Sequence, residues 1–237
     1  MGLWEKFAIF VFRKRKSINK TAMKKFAVVL SGCGVFDGAE IHEATLSMYA
    51  IRKLGGTYDV FAPDIVQHHV VNHITGQEMP ETRYVLAESA RIARGKIQPL
   101  SRFNPEDYDA LLFPGGFGAA KNLSSFAFDG PDCSVNEDVE KAITGMHAAG
   151  KPIGALCIAP VLLARVLGKG ELTIGQDQGT AAAIENMGAT HKTTGHGQVT
   201  VDRANKLFTT PCYMLDADIA QIGEGAENVV RAMMEGL

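Results

Sequence analysis

The segment around Cys157 constrains the fold more than any other part of the sequence. The apolar residues 151–156 before it are typical of a short buried strand, and residues 159–166 after it are typical of a helix. Pro160 falls in the first helical turn, where its missing N–H is tolerated, and Gly168 follows where helix C-termini are commonly capped. The sequence therefore predicts that Cys157 lies on a tight strand-to-helix turn, the nucleophile-elbow arrangement.

This position gives Cys157 two possible roles. Free N–H groups and the positive dipole end at a helix N-terminus favour an anionic sulfur, as a nucleophile requires. Free cysteine is also among the most buried residue types, so a core thiol is the alternative. The turn favours the nucleophile only slightly, and the rest of the sequence has to decide.

Composition indicates one globular α/β domain. The chain has 237 residues, of which 46% are hydrophobic, and strand-like and helix-like segments alternate along it. A net charge of −2 gives no sign of nucleic-acid binding, and no apolar run is long enough to span a bilayer. The four cysteines lack paired metal-ligand spacing and suit a reduced compartment; they lie at positions 33, 133, 157 and 212.

The first 22 residues differ from the rest, because an apolar run precedes the basic cluster Arg13-Lys14-Arg15-Lys16. A start site placed too early, an arm that packs on the domain and a targeting segment all remain open. We expect an extension over residues 1–22 outside a single domain at 23–237.

The periodicity of apolar residues predicts the order of elements. A capping-box pattern, Ser134 to Glu137, predicts the start of the helix that precedes the elbow strand. Strands are expected at 25–31, 58–62, 97–100 (an edge strand), 109–113, 151–156, 172–174, 198–201 and 206–210. Helices are expected at 39–54, 82–93, 134–149, 159–166, 180–187 and 215–234.

Two glycine-rich loops follow predicted strands, at 32–38 and 114–122. The first does not have dinucleotide-binding spacing. The second lies where open α/β sheets bind ligands, and its N–H groups are candidates for an oxyanion site. Each loop is equally compatible with a simple turn.

Acidic and histidine side chains near these loops have ordinary explanations. Glu40 and Glu43 begin a predicted helix, where acidic residues usually complement the dipole. His68, His69 and His73 lack Cys or carboxylate partners at ligand spacing, so we expect solvated loop histidines and no metal site.

Three motifs together resemble a known superfamily. They are Gly38-Ala-Glu-Ile-His-Glu43, Pro114-Gly-Gly116 and Gly154-Ala-Leu-Cys157. The combination is similar to class I glutamine amidotransferase-like proteins of the PfpI/ThiJ branch. The longer stretches Leu30 to Glu43, Pro114 to Leu123 and Cys157 to Pro160 resemble the ElbB family, also labelled sigma cross-reacting or isoprenoid-biosynthesis proteins.

The resemblance implies a flavodoxin-like three-layer sandwich, with a mostly parallel sheet and helices on both faces. It implies that Cys157 is the nucleophile, that Glu43 is the carboxylate approaching its sulfur, and that the N–H groups of Gly116 and Ile158 form an oxyanion hole. The pocket is expected to be lined by Cys33, Glu40, Gly115 and Asp177.

The implied activity is that of a glutathione-independent glyoxalase. Cys157 would add to glyoxal or methylglyoxal, and Glu43 would move a proton in the resulting hemithioacetal. Glutamine hydrolysis is disfavoured, because residues 174–180 lack the histidine of amidotransferases, and His191 and His196 come too late. A redox-sensing thiol and a non-catalytic regulatory protein are the alternatives.

The resemblance and the composition together set the remaining expectations. The substrate is a small aldehyde, and neither a cofactor nor a metal is required. No nucleic acid or membrane partner is expected. A homodimer is expected by analogy with the superfamily, and a cytoplasmic location is expected because the cysteines suit a reduced compartment.

Overall fold

The computed structural model describes residues 23–237. The expected extension at 1–22 lies outside the described residues. Within 23–237, no helix is long and apolar enough to cross a membrane.

A seven-stranded sheet forms the centre of the molecule, with strand order β3-β2-β1-β4-β5-β9-β8. Six strands run parallel, and the edge strand β8 is antiparallel to β9. A separate parallel pair, β6 and β7, lies outside it. The strands are β1 (Lys25–Val29), β2 (Thr57–Ala62), β3 (Gln98–Pro99), β4 (Ala110–Phe113), β5 (Ile153–Leu156), β6 (Glu171–Leu172), β7 (Thr190–His191), β8 (Thr200–Asp202) and β9 (Leu207–Thr210).

Eight α-helices accompany these strands in the described part of the chain. The crossover from β1 to β2 runs in the opposite direction along the sheet to that from β4 to β5, so right-handed connections place their helices on opposite faces. The helices are α1 (Ile41–Lys53), α2 (Val85–Ile92), α3 (Phe117–Lys121), α4 (Phe126–Asp129), α5 (Glu137–Ala148), α6 (Pro160–Leu167), α7 (Gln178–Asn186) and α8 (Ile219–Glu235).

This arrangement confirms the predicted flavodoxin-like α/β sandwich. The central strands β1, β4 and β5 are buried along almost their whole length, as their apolar sequences predict. The strand order reverses between β1 and β4, and the loops at the carboxyl ends of these strands include both glycine-rich segments. Open α/β sheets bind ligands at such a point.

Capping residues move several element boundaries from the predicted ones. The predicted capping box at Ser134 is wrong: Asn136 caps α5 by accepting N–H bonds from Asp138 and Val139, and Ser134 bonds to Ser125 instead. The last helix begins at Ile219 rather than 215, because Asp218 and Gln221 form a capping box there. The predicted loop at 114–122 contains α3, which is too short to show a helical period.

Asn122 ties together the two loops beside the reversal point. Its side chain is buried, and its amide nitrogen donates to the carbonyls of Ser31 and Asp37, each at 2.9 Å. Its amide oxygen accepts the His68 N–H, also at 2.9 Å. One side chain therefore joins loop 30–38 and loop 63–84 to the end of α3.

We expect Asn122→Ala to lower the free energy of unfolding by about 2–3 kcal/mol, because it leaves buried backbone groups without partners. Denaturant unfolding measures this. Asn72→Ala is the control: its side chain accepts bonds from Ile74 and Thr75 on the exposed loop surface, so a loss of under about 1 kcal/mol is expected. Equal losses in both variants would contradict the role of Asn122.

Candidate active site

Cys157 lies between β5 and α6 with φ 59°, in the left-handed region. A non-glycine residue there is uncommon, and such strain concentrates at functional sites. The Cys157 N–H donates to the Thr210 carbonyl at 3.0 Å, and Pro160 occupies the first turn of α6. The side chain is only 6% exposed. The backbone therefore holds the thiol in a sharp elbow at the end of β5.

Glu43 reaches the same point from the first turn of α1, and it is fully buried. Its Oε2 accepts the Gly115 N–H at 2.8 Å, and its Oε1 accepts the Tyr213 N–H at 3.2 Å. The carboxyl also interacts with the Cys157 thiol. Loops after β4 and β9 thus supply the donors that hold Glu43 against the cysteine.

Gly115 packs against both side chains instead of lining the cavity at Cys157, contrary to expectation, and only glycine fits there. A Cβ at this position would lie 2.3 Å from the Cys157 Cβ, 2.6 Å from the Glu43 Oε2 and 2.9 Å from the Cys157 Sγ. The close approach of the carboxyl and the thiol therefore depends on the missing side chain.

Burial dominates the electrostatics of the pair. Loss of solvation, with Glu40 nearby, raises the pKa of Glu43 to about 8 despite its two N–H donors. Burial and the Glu43 carboxylate also raise the pKa of Cys157 well above its ordinary value. The N–H at the helix end does favour an anionic sulfur, as expected, but burial and Glu43 outweigh its effect on the Cys157 pKa. Neither group ionises easily beside the other, so the pair carries at most one negative charge near neutral pH.

Two backbone N–H groups, from Gly116 and Ile158, point at the Cys157 sulfur and lower its pKa. These are the positions for which the sequence predicts an oxyanion hole. Gly116 is the N-cap of α3 with φ 98°, and a Cβ there would lie 2.3 Å from the Gly38 carbonyl oxygen and 2.4 Å from the Glu40 nitrogen. Glycine is required because loop 114–116 packs directly on the start of α1.

Glu40 has a different role from Glu43. It is the N-cap of α1, and its Oε2 accepts the Glu43 N–H at 2.7 Å. Its carboxylate contributes to the raised pKa of Glu43. Glu40 does not line the cavity at Cys157, contrary to expectation, because its side chain turns back onto the helix end.

A cavity of about 460 Å³ opens at Cys157. Asp177 lies on its wall, as predicted, where it caps α7 by accepting the Thr180 N–H at 2.7 Å. Most of the lining is apolar. The lining residues are Val35, Gly116, Phe117, Ala120, Phe126, Ala127, Cys157, Ile158, Asp177, Thr180, Tyr213 and Met214.

Cys33 does not line this cavity, so that expectation is wrong. It is partly exposed near α2, where burial and the charge of Glu88 raise its pKa. Among residues 23–237, no group of three His, Cys, Asp or Glu side chains is arranged to hold a metal ion.

Sequence reasoning missed Tyr213. This residue lines the cavity, gives its N–H to Glu43, and places its hydroxyl 2.8 Å from His42 Nδ1. The one sequence feature that could have identified Tyr213 is its position just after β9. That position indicates the site only when β9 is known to pair with β5, the strand that precedes Cys157.

Comparisons with known proteins identify close relatives. The chain is 45% identical over 235 residues to the mitochondrial ES1 protein homolog of Rattus norvegicus, covering 94% of this chain and 88% of the relative. It is 48% identical over 221 residues to human glutamine amidotransferase-like class 1 domain-containing protein 3, also named mitochondrial, covering 89% and 82%. No protein-family model matches the chain.

Solved structures agree with these relatives. An isoprenoid biosynthesis protein with an amidotransferase-like domain from Ehrlichia chaffeensis has a TM-score of 0.85 at 33% identity, over 90% of this chain and 99% of that one. Glyoxalase III from Candida albicans has a TM-score of 0.57 at 16% identity, over 91% and 98%, which indicates a shared fold alone. The predicted ElbB-like, PfpI/ThiJ resemblance is confirmed.

The expectation of a cytoplasmic protein is wrong. Three curated relatives, from rat, human and Danio rerio, are all named mitochondrial. The cysteine usage on which that expectation rested indicates a reducing environment and does not identify a compartment.

We expect Gly115→Ala to reduce any Cys157-dependent reaction rate by at least about a hundredfold, because the new methyl group pushes the thiol and carboxyl apart. The rate of Cys157 alkylation by iodoacetamide, followed by intact mass, reports the disturbance even before a substrate is known.

Gly179→Ala is the matched control. The nearest atom to its added Cβ is 3.6 Å away, and the position is inside α7, so alanine is tolerated or slightly stabilising. An unchanged Cys157 environment in Gly115→Ala would show that the pair does not depend on that glycine.

Proposed function

Because the chain belongs to the ES1 and ElbB-like family of class I glutamine amidotransferase-like proteins, we propose that it is a glutathione-independent glyoxalase. The observation that carries this proposal is the buried Glu43 carboxyl against the Cys157 thiol, with two N–H groups at the sulfur. A nucleophile beside a proton carrier and an oxyanion site meets the needs of aldehyde isomerisation. The fold shared with glyoxalase III from Candida albicans supports the proposal.

The overall reaction adds water to an α-oxoaldehyde and yields a 2-hydroxy acid. The aldehyde carbon is oxidised to a carboxylic acid, and the neighbouring ketone is reduced to an alcohol. Because oxidation and reduction occur within one molecule, no external oxidant or reductant enters the balance.

In the first step, the Cys157 sulfur forms a bond to the aldehyde carbon as Glu43 accepts the thiol proton. The carbonyl π electrons move to oxygen, and the N–H groups of Gly116 and Ile158 stabilise that charge. Returning the proton to oxygen gives a neutral hemithioacetal. Transfer within the pair removes the need for a free thiolate in the resting site.

In the second step, Glu43 removes the hydrogen of the former aldehyde carbon as a proton and delivers it to the ketone oxygen, which gives an enediol. Glu43 then takes the proton of the hydroxyl beside the sulfur and returns it to the neighbouring carbon, which gives a thioester of the 2-hydroxy acid. Water then breaks the carbon–sulfur bond, which releases the acid and restores the thiol. A carboxyl whose pKa lies near 8 suits these repeated transfers.

The same geometry gives less support to the other candidate functions. Among the described residues, no histidine or cationic side chain lines the cavity, so the carboxylate of a glutamine zwitterion lacks a positive partner and its hydrolysis lacks a histidine to shuttle protons. A redox-sensing thiol is best served by a low pKa, whereas burial raises that of Cys157.

Cys157→Ala should abolish conversion of methylglyoxal to lactate while the protein stays folded. Chromatography of lactate measures the reaction, and thermal unfolding checks the fold. Cys33→Ser is the control, and near-normal turnover is expected because this thiol lies outside the cavity. Substantial lactate formation by Cys157→Ala would rule out the covalent mechanism.

Glu43→Gln should reduce turnover by about a hundredfold to ten-thousandfold, because the amide cannot transfer the proton. Glu40→Gln is the matched control: the amide oxygen can still cap α1, so most activity should remain at neutral pH or above. Near-normal turnover in Glu43→Gln would defeat the assignment, and an inactive Glu40→Gln beside it would transfer the role to Glu40.

The pH dependence of kcat/KM should show an inflection at about 8 that belongs to the Glu43–Cys157 pair. Glu43 must be ionised to accept the thiol proton, so the rate should fall as pH drops below that value. In Glu40→Gln the inflection should move to lower pH, since removing a neighbouring negative charge favours ionised Glu43. A profile unmoved by this substitution would argue that another group controls the rate.

A further inference from the structure

The cavity above Cys157 is larger and more apolar than methylglyoxal requires. A volume of about 460 Å³ falls within the range of sites that enclose drug-sized ligands, whereas methylglyoxal carries a single methyl group beside its carbonyls. Water left in such a space would weaken the interactions at the sulfur and compete for the reactive intermediate. A bulkier substrate would displace it.

Two aromatic rings contribute to the cavity wall. Phe117 opens α3 and is 48% exposed, and Phe126 opens α4 and is partly buried. Contact of a phenylalanine ring with water is unfavourable, so a ligand that covers the ring is stabilised. Rings on a cavity wall also offer stacking or edge contacts to an aromatic ligand. Val35, Ile158 and Met214 complete an apolar surface around the elbow.

The charges at the cavity disfavour anions. Its lining contains Asp177 and, within the described residues, no Lys, Arg or His. N–H donation from Thr180 lowers the pKa of Asp177, so this side chain is ionised at neutral pH. The nearest cation along α3, Lys121, is held by the Phe36 carbonyl at 2.9 Å and lies over the Phe117 ring. A carboxylate or phosphate in the cavity would therefore meet apolar atoms and a negative charge.

We infer that the preferred substrates are uncharged α-oxoaldehydes with an aryl or similarly bulky apolar group, which lies between Phe117 and Phe126 while the aldehyde carbon faces Cys157. This inference rests on the proposed glyoxalase function and specifies its substrate class. The same wall favours product release, because the 2-hydroxy acid is anionic and faces Asp177.

Steady-state kinetics with three aldehydes tests the inference. Phenylglyoxal should exceed methylglyoxal in kcat/KM by at least about tenfold, as expected for filling an apolar pocket. The matched 4-carboxyphenylglyoxal should fall at least about tenfold below phenylglyoxal, because its carboxylate loses hydration without gaining a partner. Asp177→Asn should reduce the difference in kcat/KM between phenylglyoxal and its 4-carboxy derivative, because it removes the negative charge from the cavity wall. The helix should stay intact, since the amide oxygen of asparagine can still cap α7.

Two phenylalanines on the same short helix provide matched variants. Phe126→Ala should lower kcat/KM for phenylglyoxal by about tenfold and for methylglyoxal by much less. Phe128→Ala should change neither, because Phe128 is outside the cavity and its ring lies tilted against His68, with the ring centroids 4.2 Å apart. Equal kcat/KM for the two aldehydes in the wild type, or parallel losses in Phe126→Ala, would overturn the inference.

A second readout separates this inference from the proposed function. The alkylation of Cys157 by 2-bromoacetophenone and by its 4-carboxy derivative is followed by intact mass, with no turnover required. If the neutral reagent reacts faster than the charged one, and Phe126→Ala slows the neutral reagent, the apolar site is supported. If no aldehyde is converted at the same time, only the glyoxalase proposal fails. Turnover of methylglyoxal without aryl preference in either assay would overturn only the substrate class.

Discussion

The contact between the Glu43 carboxyl and the Cys157 thiol is the constraint on which the rest of the structure depends. A fully buried carboxyl needs hydrogen-bond donors, and here they are the N–H groups of Gly115 and Tyr213. The contact requires that the segments after four strands, β1, β4, β5 and β9, lie close together, because they supply Glu43, Gly115, Cys157 and Tyr213 in that order. The parallel sheet satisfies that demand because its strands end together at one edge.

Close packing at the pair explains the unusual backbone around it. Cys157 adopts a left-handed conformation, and Gly116 has a positive φ while packing on the backbone before α1. Gly115 has no room for a side chain. The strained backbone at Cys157 is unfavourable by itself. It persists because the contacts around it hold the backbone in that conformation.

The site combines a polar pair with an apolar cavity above it. Burial raises the pKa values of both members, so a proton is retained between them instead of being lost to solvent. Apolar walls also strengthen the effect of the two N–H groups at the sulfur, because electrostatic interactions increase as water is excluded. The environment that makes the resting thiol weakly acidic is therefore the one that stabilises charge formed during a reaction.

Local sequence patterns determined much of this protein. The apolar run before Cys157 and the proline after it specified the elbow, and the buried strands specified an α/β class, because these depend on neighbouring residues. The family resemblance favoured Glu43 over Glu40, but only the tertiary structure gives the physical reason, since packing shows that Glu40 caps α1 while Glu43 meets the thiol. The tertiary structure also places Cys33 outside the cavity, near α2. It brings Tyr213 to the cavity, because the strand order in the sheet, which no local pattern encodes, sets β9 beside β5.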